Sequence, residues 1–300
     1  MNLNGLHILL TYQCNYECEH CFVWGSPRQT GVFTLAQLEH VFQQALELGT
    51  IRKIYFEGGE AFLYYPILVK AVIRAKKLGF WTGIVSNNYW ATNVDDATLW
   101  LRPLVEAGLD TIELSSDLFH GNEVETPKSR NALAAAYHLG LTGASTICID
   151  PPGGYRAAEA KPGEPVAGGG VMYRGRAANK LVNGLPRQAW ESFTACPYED
   201  LATPGRIHLD PLGNLHVCQG LVIGNLFQQS LEEIVQAYDP ATHPVVGPLL
   251  AGGPARLVQI YEIERQEGYV DACHLCYSAR QALRDRFPEQ LGPDQMYGEF

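Results

Sequence analysis

The hydrophobic pattern of this chain changes character near its midpoint. Up to about residue 150, short β-rich runs alternate with stretches whose apolar positions recur every three or four residues. Residues 6–12 read as a first strand. Thr34 opens a helix, with Gln37 at the capping-box spacing, and Leu35, Leu38, Val41, Phe42, Ala45 and Leu46 form its buried stripe before Gly49 stops it. Residues 53–56 are a second strand, followed by a helix over about 66–79. Residues 81–86 are a third, with a helix around 96–106 that Pro103 should kink. Strands at 111–115 and 145–149 flank a helix around 130–139, and 171–173 would make a sixth strand. Strand and helix repeating at this spacing predict a parallel sheet with right-handed crossovers, and ligand sites at the strand ends.

The second half lacks this rhythm. Residues 151–170 are rich in proline and glycine, and a loop of that length after a barrel strand reads either as a lid or substrate loop or as a plain flexible connection. Beyond about 185, residues 206–210 and 214–218 flank Pro211-Leu212-Gly213 as a hairpin, and short helices follow. The expected fold is α/β: a partial (β/α)6 TIM-like barrel over 1–185, then a small C-terminal domain over 186–300 with a β-hairpin and short helices.

Composition narrows the function classes. A chain of 300 residues can bury a large core. No apolar run approaches the roughly 18–20 residues of a membrane span. No basic segment leads into an apolar one at the N-terminus, so the expectation is a cytoplasmic protein without a signal peptide or membrane partner. The net charge of −10 argues against a nucleic-acid partner, and Arg74, Lys76 and Lys77 read as the solvated end of a helix.

Cysteine carries the candidate chemistry. In a reducing compartment, clustered cysteines are more often metal or redox ligands than disulfides. Seven of the eight cysteines form two groups: Cys14, Cys18 and Cys21 in a CxxxCxxC, and Cys196, Cys218, Cys273 and Cys276 ending in a CxxC. Zinc would require four closed ligands, so the first group would need His20 or a distant cysteine. Three cysteines in the loop after the first strand fit an open iron–sulfur cluster better, whereas four thiolates close one. The eighth, Cys148, lies in an apolar strand and is expected in the core.

The loop Cys14-Asn15-Tyr16-Glu17-Cys18-Glu19-His20-Cys21, with Gly58-Gly59-Glu60 ending the second strand, resembles the radical S-adenosylmethionine (SAM) superfamily. His20 takes the position that is usually aromatic. The resemblance implies a SAM-binding [4Fe-4S] cluster on Cys14, Cys18 and Cys21, whose uncoordinated iron chelates SAM and yields a 5′-deoxyadenosyl radical. It implies SAM contacts from Gly58, Gly59, Glu60, Ser86, Asn87, Ser115, Asp117 and Arg174, with Arg176 as an alternative partner for the SAM carboxylate or an acidic substrate. Cys196, Cys218, Cys273 and Cys276 resemble the twitch form of the SPASM extension and imply an auxiliary [4Fe-4S] cluster. A four-cysteine zinc ribbon would instead pair two short CxxC knuckles.

An oxidoreductase-type enzyme follows from the resemblance. It would remove a substrate hydrogen and pass an electron to the auxiliary cluster, in a net dehydrogenation or bond formation on a small polar metabolite. Modification of a ribosomal peptide side chain is the alternative, and a non-catalytic two-cluster electron carrier or zinc-stabilised scaffold is the alternative of another class. A nucleotide cyclase of the molybdopterin type fits less well, because its C-terminal double glycine is replaced by Tyr297-Gly298-Glu299-Phe300. Expected partners are a small-molecule or peptide substrate and a reducing donor such as flavodoxin or ferredoxin. Asp117, His120, Tyr155 and Arg156 are candidate catalytic residues by position.

Overall fold

A computed structural model describes residues 1, 3–120, 127–152 and 168–299. In its first half each strand is followed by a helix. β1 (Gly5–Leu9) leads to α1 (Leu35–Leu48), β2 (Lys53–Glu57) to α2 (Tyr65–Lys77), β3 (Trp81–Ser86) to α3 (Val94–Glu106), and β4 (Thr111–Ser115) to α4 (Lys128–His138) and β5 (Ala144–Ile149). Next come β6 (Gly168–Gly169), α5 (Arg176–Lys180), β7 (Gln188–Ala189), β8 (Arg206–Leu209), β9 (Asn214–Cys218) and β10 (Leu221–Asn225). The chain continues through α6 (Leu231–Ala237), α7 (Val246–Tyr261), β11 (Gly268–Tyr269) and α8 (Ala272–Ala282).

Local chemistry sets these bounds. Thr34 accepts from the Gln37 N–H while the Gln37 side chain accepts from the Thr34 N–H, and Gly49 closes α1 in a left-handed conformation (φ 72°). The buried stripe of α1 is Leu38, Val41, Phe42 and Ala45. Leu35, in the first turn, and Leu46, about 100° round the helix from Ala45, are exposed, against the sequence expectation. α3 continues through Pro103. The carbonyl left without its usual donor belongs to Leu99, whose side chain is 69% exposed, so water can satisfy that face.

Nine of the described strands form one sheet in the order β10-β9-β8-β1-β2-β3-β4-β5-β6, and β7 and β11 pair antiparallel apart from it. β1 to β6 and β8 run parallel, while β9 and β10 are antiparallel. The α/β barrel reading holds, with two revisions. The sixth strand is Gly168–Gly169, not 171–173; Val171 and Tyr173 are instead buried in a small separate cluster with Ala177, Val182 and Val270. The hairpin also does not form a sheet of its own, because β8 lies parallel to β1 with Gly5 opposite Arg206 and His7 opposite His208. Cys148 is exposed rather than in the core, whereas its neighbours Ile147 and Ile149 line the cavity.

The hairpin is anchored by Asp210. Its carboxylate accepts from the Leu212 and Asn214 N–H groups, from Asn214 Nδ2 and from the Tyr12 hydroxyl, and His216 Nε2 lies 3.1 Å away. Burial alone would raise this carboxyl, but hydrogen bonds from His216, Asn214 and Tyr12 hold it below its ordinary value of 3.8. A carboxyl depressed in the folded state stabilises the fold above its unfolded value, and that contribution is lost as pH falls through the folded value. Urea unfolding should therefore show stability falling below about pH 4, with a shallower fall in Asp210→Asn; equal pH profiles would refute this anchor.

Candidate functional site

Inside a TIM-type barrel the strand side chains normally form an apolar core. Here the inward positions include His7, Glu57, Glu113, Arg206 and His208, and they line a cavity of about 250 Å³. Cys14, Cys18 and Cys21 reach the same cavity, as do Gly58, Gly59, Glu60, Ser86, Asn87, Ser115, Asp117, His120 and Arg174. The first cysteine group, the expected SAM contacts and two of the catalytic candidates thus converge on one space; Tyr155 and Arg156 lie outside the described residues, as does most of the expected lid.

The Gly-Gly-Glu turn is fitted against the start of the cysteine loop. The Gly59 N–H donates to Thr11 O (2.7 Å) and the Glu60 N–H to Gln13 O (2.9 Å). A Cβ on Gly59 would stand 2.2 Å from Gln13 O, and one on Gly58 would stand 2.4 Å from Thr11 O. The fully buried Glu60 carboxylate accepts from Ser86 Oγ (2.9 Å), the Asn87 N–H (2.7 Å) and the Phe62 N–H (3.1 Å). Burial raises its carboxyl to about 7 against those three hydrogen bonds. At neutral pH it therefore sits near a protonation boundary, where a nearby cation would favour the charged form.

Donors are also aimed at the thiols. Cys14 Sγ accepts from the Tyr16 N–H (3.4 Å) and Asn87 Nδ2 (3.5 Å), and Cys21 Sγ from the Gly25 N–H (3.3 Å). Arg176 does not face the cavity as a carboxylate partner. Its guanidinium donates to Cys18 O (2.7 Å) and Gly25 O (2.8 Å), bracing the loop from behind, and the preceding Gly175 (φ 59°) packs against Phe22. Burial raises Cys14 to about 12, so a bound cation is what would make this sulfur a thiolate. His20 stacks on Phe119 (4.3 Å), its imidazole lowered to about 4 by burial and then by His120, while His120 Nδ1 lies 2.8 Å from Asp117 Oδ1. The Ser115 carbonyl accepts from Asn88 Nδ2 (2.7 Å), two residues beyond the end of β3.

The second group gathers Cys196, Cys218, Cys273 and Cys276 around two buried arginines, Arg174 and Arg280. Arg174 Nη1 donates to Glu199 (3.1 Å) and to Cys218 Sγ (3.4 Å), so the acidic and sulfur groups draw this cation towards the four cysteines. Arg280 donates to Gln219 O (2.8 Å) and lies beside Cys276, which burial raises to about 12. The Nε atoms of both arginines have no hydrogen-bond partner among the described residues. Two buried cations among four thiols suit an anionic centre. Arg280, four residues after Cys276 on α8, was detectable from helix periodicity and was missed.

Among the described residues no helix is long and apolar enough to cross a membrane. Residues 8–125 match the family model described as the radical SAM superfamily. YydG of Bacillus subtilis (strain 168), whose name places it in peptide biosynthesis, is 25% identical over 126 residues, 42% of this chain and 40% of that protein. A GTP 3′,8-cyclase of Chlorobaculum tepidum is 31% identical over 112 residues, 37% of this chain and 32% of that one. The chain thus spans less than half the length of these curated relatives. In fold it is similar to BtrN, crystallised in complex with AdoMet and 2-DOIA: TM-score 0.52 and 15% identity, covering 77% of this chain and 81% of that one. Residues 8–125, which hold the cysteine loop and the Gly-Gly-Glu turn of this cavity, are the part of the chain that resembles the radical SAM superfamily.

Proposed function

We propose that this protein is a radical SAM oxidoreductase that oxidises a small polar molecule held between two [4Fe-4S] clusters. Cys14, Cys18 and Cys21 would hold the SAM-binding cluster, and Cys196, Cys218, Cys273 and Cys276 an auxiliary one. When bound, cluster and SAM supply a 5′-deoxyadenosyl radical able to take a hydrogen atom from carbon. Gly58 and Gly59 leave room for close backbone approach, and Glu60 offers a carboxylate to the SAM amino group. Ser86, Asn87, Ser115 and Asp117 border the same end.

The observation that carries this reading is Arg174. It forms part of the cavity wall and donates to Cys218, so the cavity lies between the two cysteine groups. With Arg280 it supplies two positive charges beside four thiols, matching the roughly two net negative charges of an oxidised four-thiolate cluster. A peptide side chain is the second reading of the substrate, favoured by the likeness to YydG. A flavodoxin- or ferredoxin-like donor would supply the reducing electron.

Anaerobic reconstitution should give about eight irons per chain and 5′-deoxyadenosine from SAM with a strong reductant. Cys273→Ala should lose about half of that iron yet keep cleaving SAM. Zinc in place of iron, or full iron retention in Cys273→Ala, would overturn the two-cluster reading.

A further inference from the structure

One donor set lining the cavity belongs to neither cysteine group. His7, Glu57 and His208 stand on the neighbouring strands β1, β2 and β8, and one ligand atom from each lies within 4.8 Å of the others. The register explains the convergence: His7 faces His208 across the β1–β8 pair, and Glu57 ends β2 opposite Leu9, two residues beyond His7 on the same face. Glu57 Oε1 is hydrogen-bonded to His7 Nδ1 and lies 3.7 Å from His208 Nε2. The three side chains retain only 12%, 12% and 6% exposure.

We propose that His7, Glu57 and His208 bind a first-row divalent cation whose remaining coordination positions open into the cavity. Two imidazoles and one carboxylate are a donor set suited to zinc, iron or manganese. Charge points the same way. Glu57 and Glu113 both face the cavity, whereas Arg206, which also lines it, lies 3.5 Å from Glu199. An outer layer is in place: Tyr55 stacks on His7 at 4.7 Å and donates to Glu113. Strands hold the three donors, so little ordering is needed when the ion arrives. A cation here would anchor and polarise an oxygen or nitrogen of whatever enters the cavity, which makes a hydroxyl- or amine-bearing substrate the chemical class that fits.

Binding of the ion is independent of SAM chemistry, so its test stands apart from that of the radical reading. Iron-loaded protein is titrated with Mn²⁺, an ion with little affinity for thiols, and free Mn²⁺ is followed by its EPR signal. One Mn²⁺ per chain should bind, and Zn²⁺ should displace it. Glu57→Gln and His208→Gln, on separate strands so that a folding failure in one leaves the other, should each weaken binding about tenfold or more. His138→Ala, on α4, should not. Absence of Mn²⁺ binding in the unmodified protein, or its retention in the ligand variants, overturns the site, whatever the outcome of 5′-deoxyadenosine assays on the same preparation.

Discussion

Cys14→Ala is expected to lower 5′-deoxyadenosine formation from SAM by more than about a hundredfold, while iron falls from about eight to about four per chain. Cys14 is the buried thiol of its loop and receives two donors, Tyr16 N–H and Asn87 Nδ2. Alanine removes the sulfur and leaves two thiols, too few to retain the cluster that SAM requires. The loop itself should persist, because Arg176 grips it through the Cys18 and Gly25 carbonyls, not through Cys14. Circular dichroism should therefore match the unmodified protein. Cys148→Ala is the control, since this exposed cysteine belongs to neither group. Undiminished 5′-deoxyadenosine from Cys14→Ala, measured by chromatography, would refute the ligand assignment.

Gly59→Ala should destabilise the protein by about 3 kcal/mol or more, a backbone clash rather than the loss of a contact. The added methyl would stand 2.2 Å from Gln13 O and 2.5 Å from Tyr12 O. The Gln13 carbonyl cannot retreat without breaking its bond from the Glu60 N–H, and the Gly59 N–H to Thr11 O bond holds the turn in place beside it. Because Gln13 directly precedes Cys14, the strain falls on the cysteine loop, so iron binding should suffer along with stability. Gly205→Ala meets nothing within 4 Å and should stay within about 0.5 kcal/mol of the unmodified protein. Urea midpoints of the two variants decide the matter; equal midpoints would show that the turn yields.

What the sequence disclosed was local. The Thr34–Gln37 box, the Gly49 stop and the cysteine spacings are patterns within a few residues, and each has a mechanism that operates over that distance. What it hid depends on partners far along the chain. Nothing in 206–209 says that this strand will pair with β1, some two hundred residues earlier, in place of forming a separate hairpin. His7 was invisible as a site residue because it sits in an apolar run, and only the pairing with β2 and β8 brings Glu57 and His208 to it. Val171 and Tyr173 show the opposite error. An apolar run predicts burial, and both are buried, but among loop and helix residues rather than in the sheet. Arg176 was read for its charge, whereas its use is geometric, tying two loop carbonyls together.

The seam between β1 and β8 also has a kinetic meaning. The loop of Cys14 grows from the end of β1, and Cys218 closes β9, with only β8 between those strands. Two strand spacings are about 10 Å of hydrogen-bonded ladder, and β9 runs back so that Cys218 sits at the end where β1 begins. Any hinge between the halves of the chain would have to shear that ladder. The rate of electron tunnelling falls steeply with separation, and a separation built into one sheet is fixed by the fold rather than sampled by domain motion. An electron leaving the cavity by way of Arg174 and Cys218 would thus cross an invariant gap, and turnover would be timed by what enters the cavity, not by the approach of two moving parts.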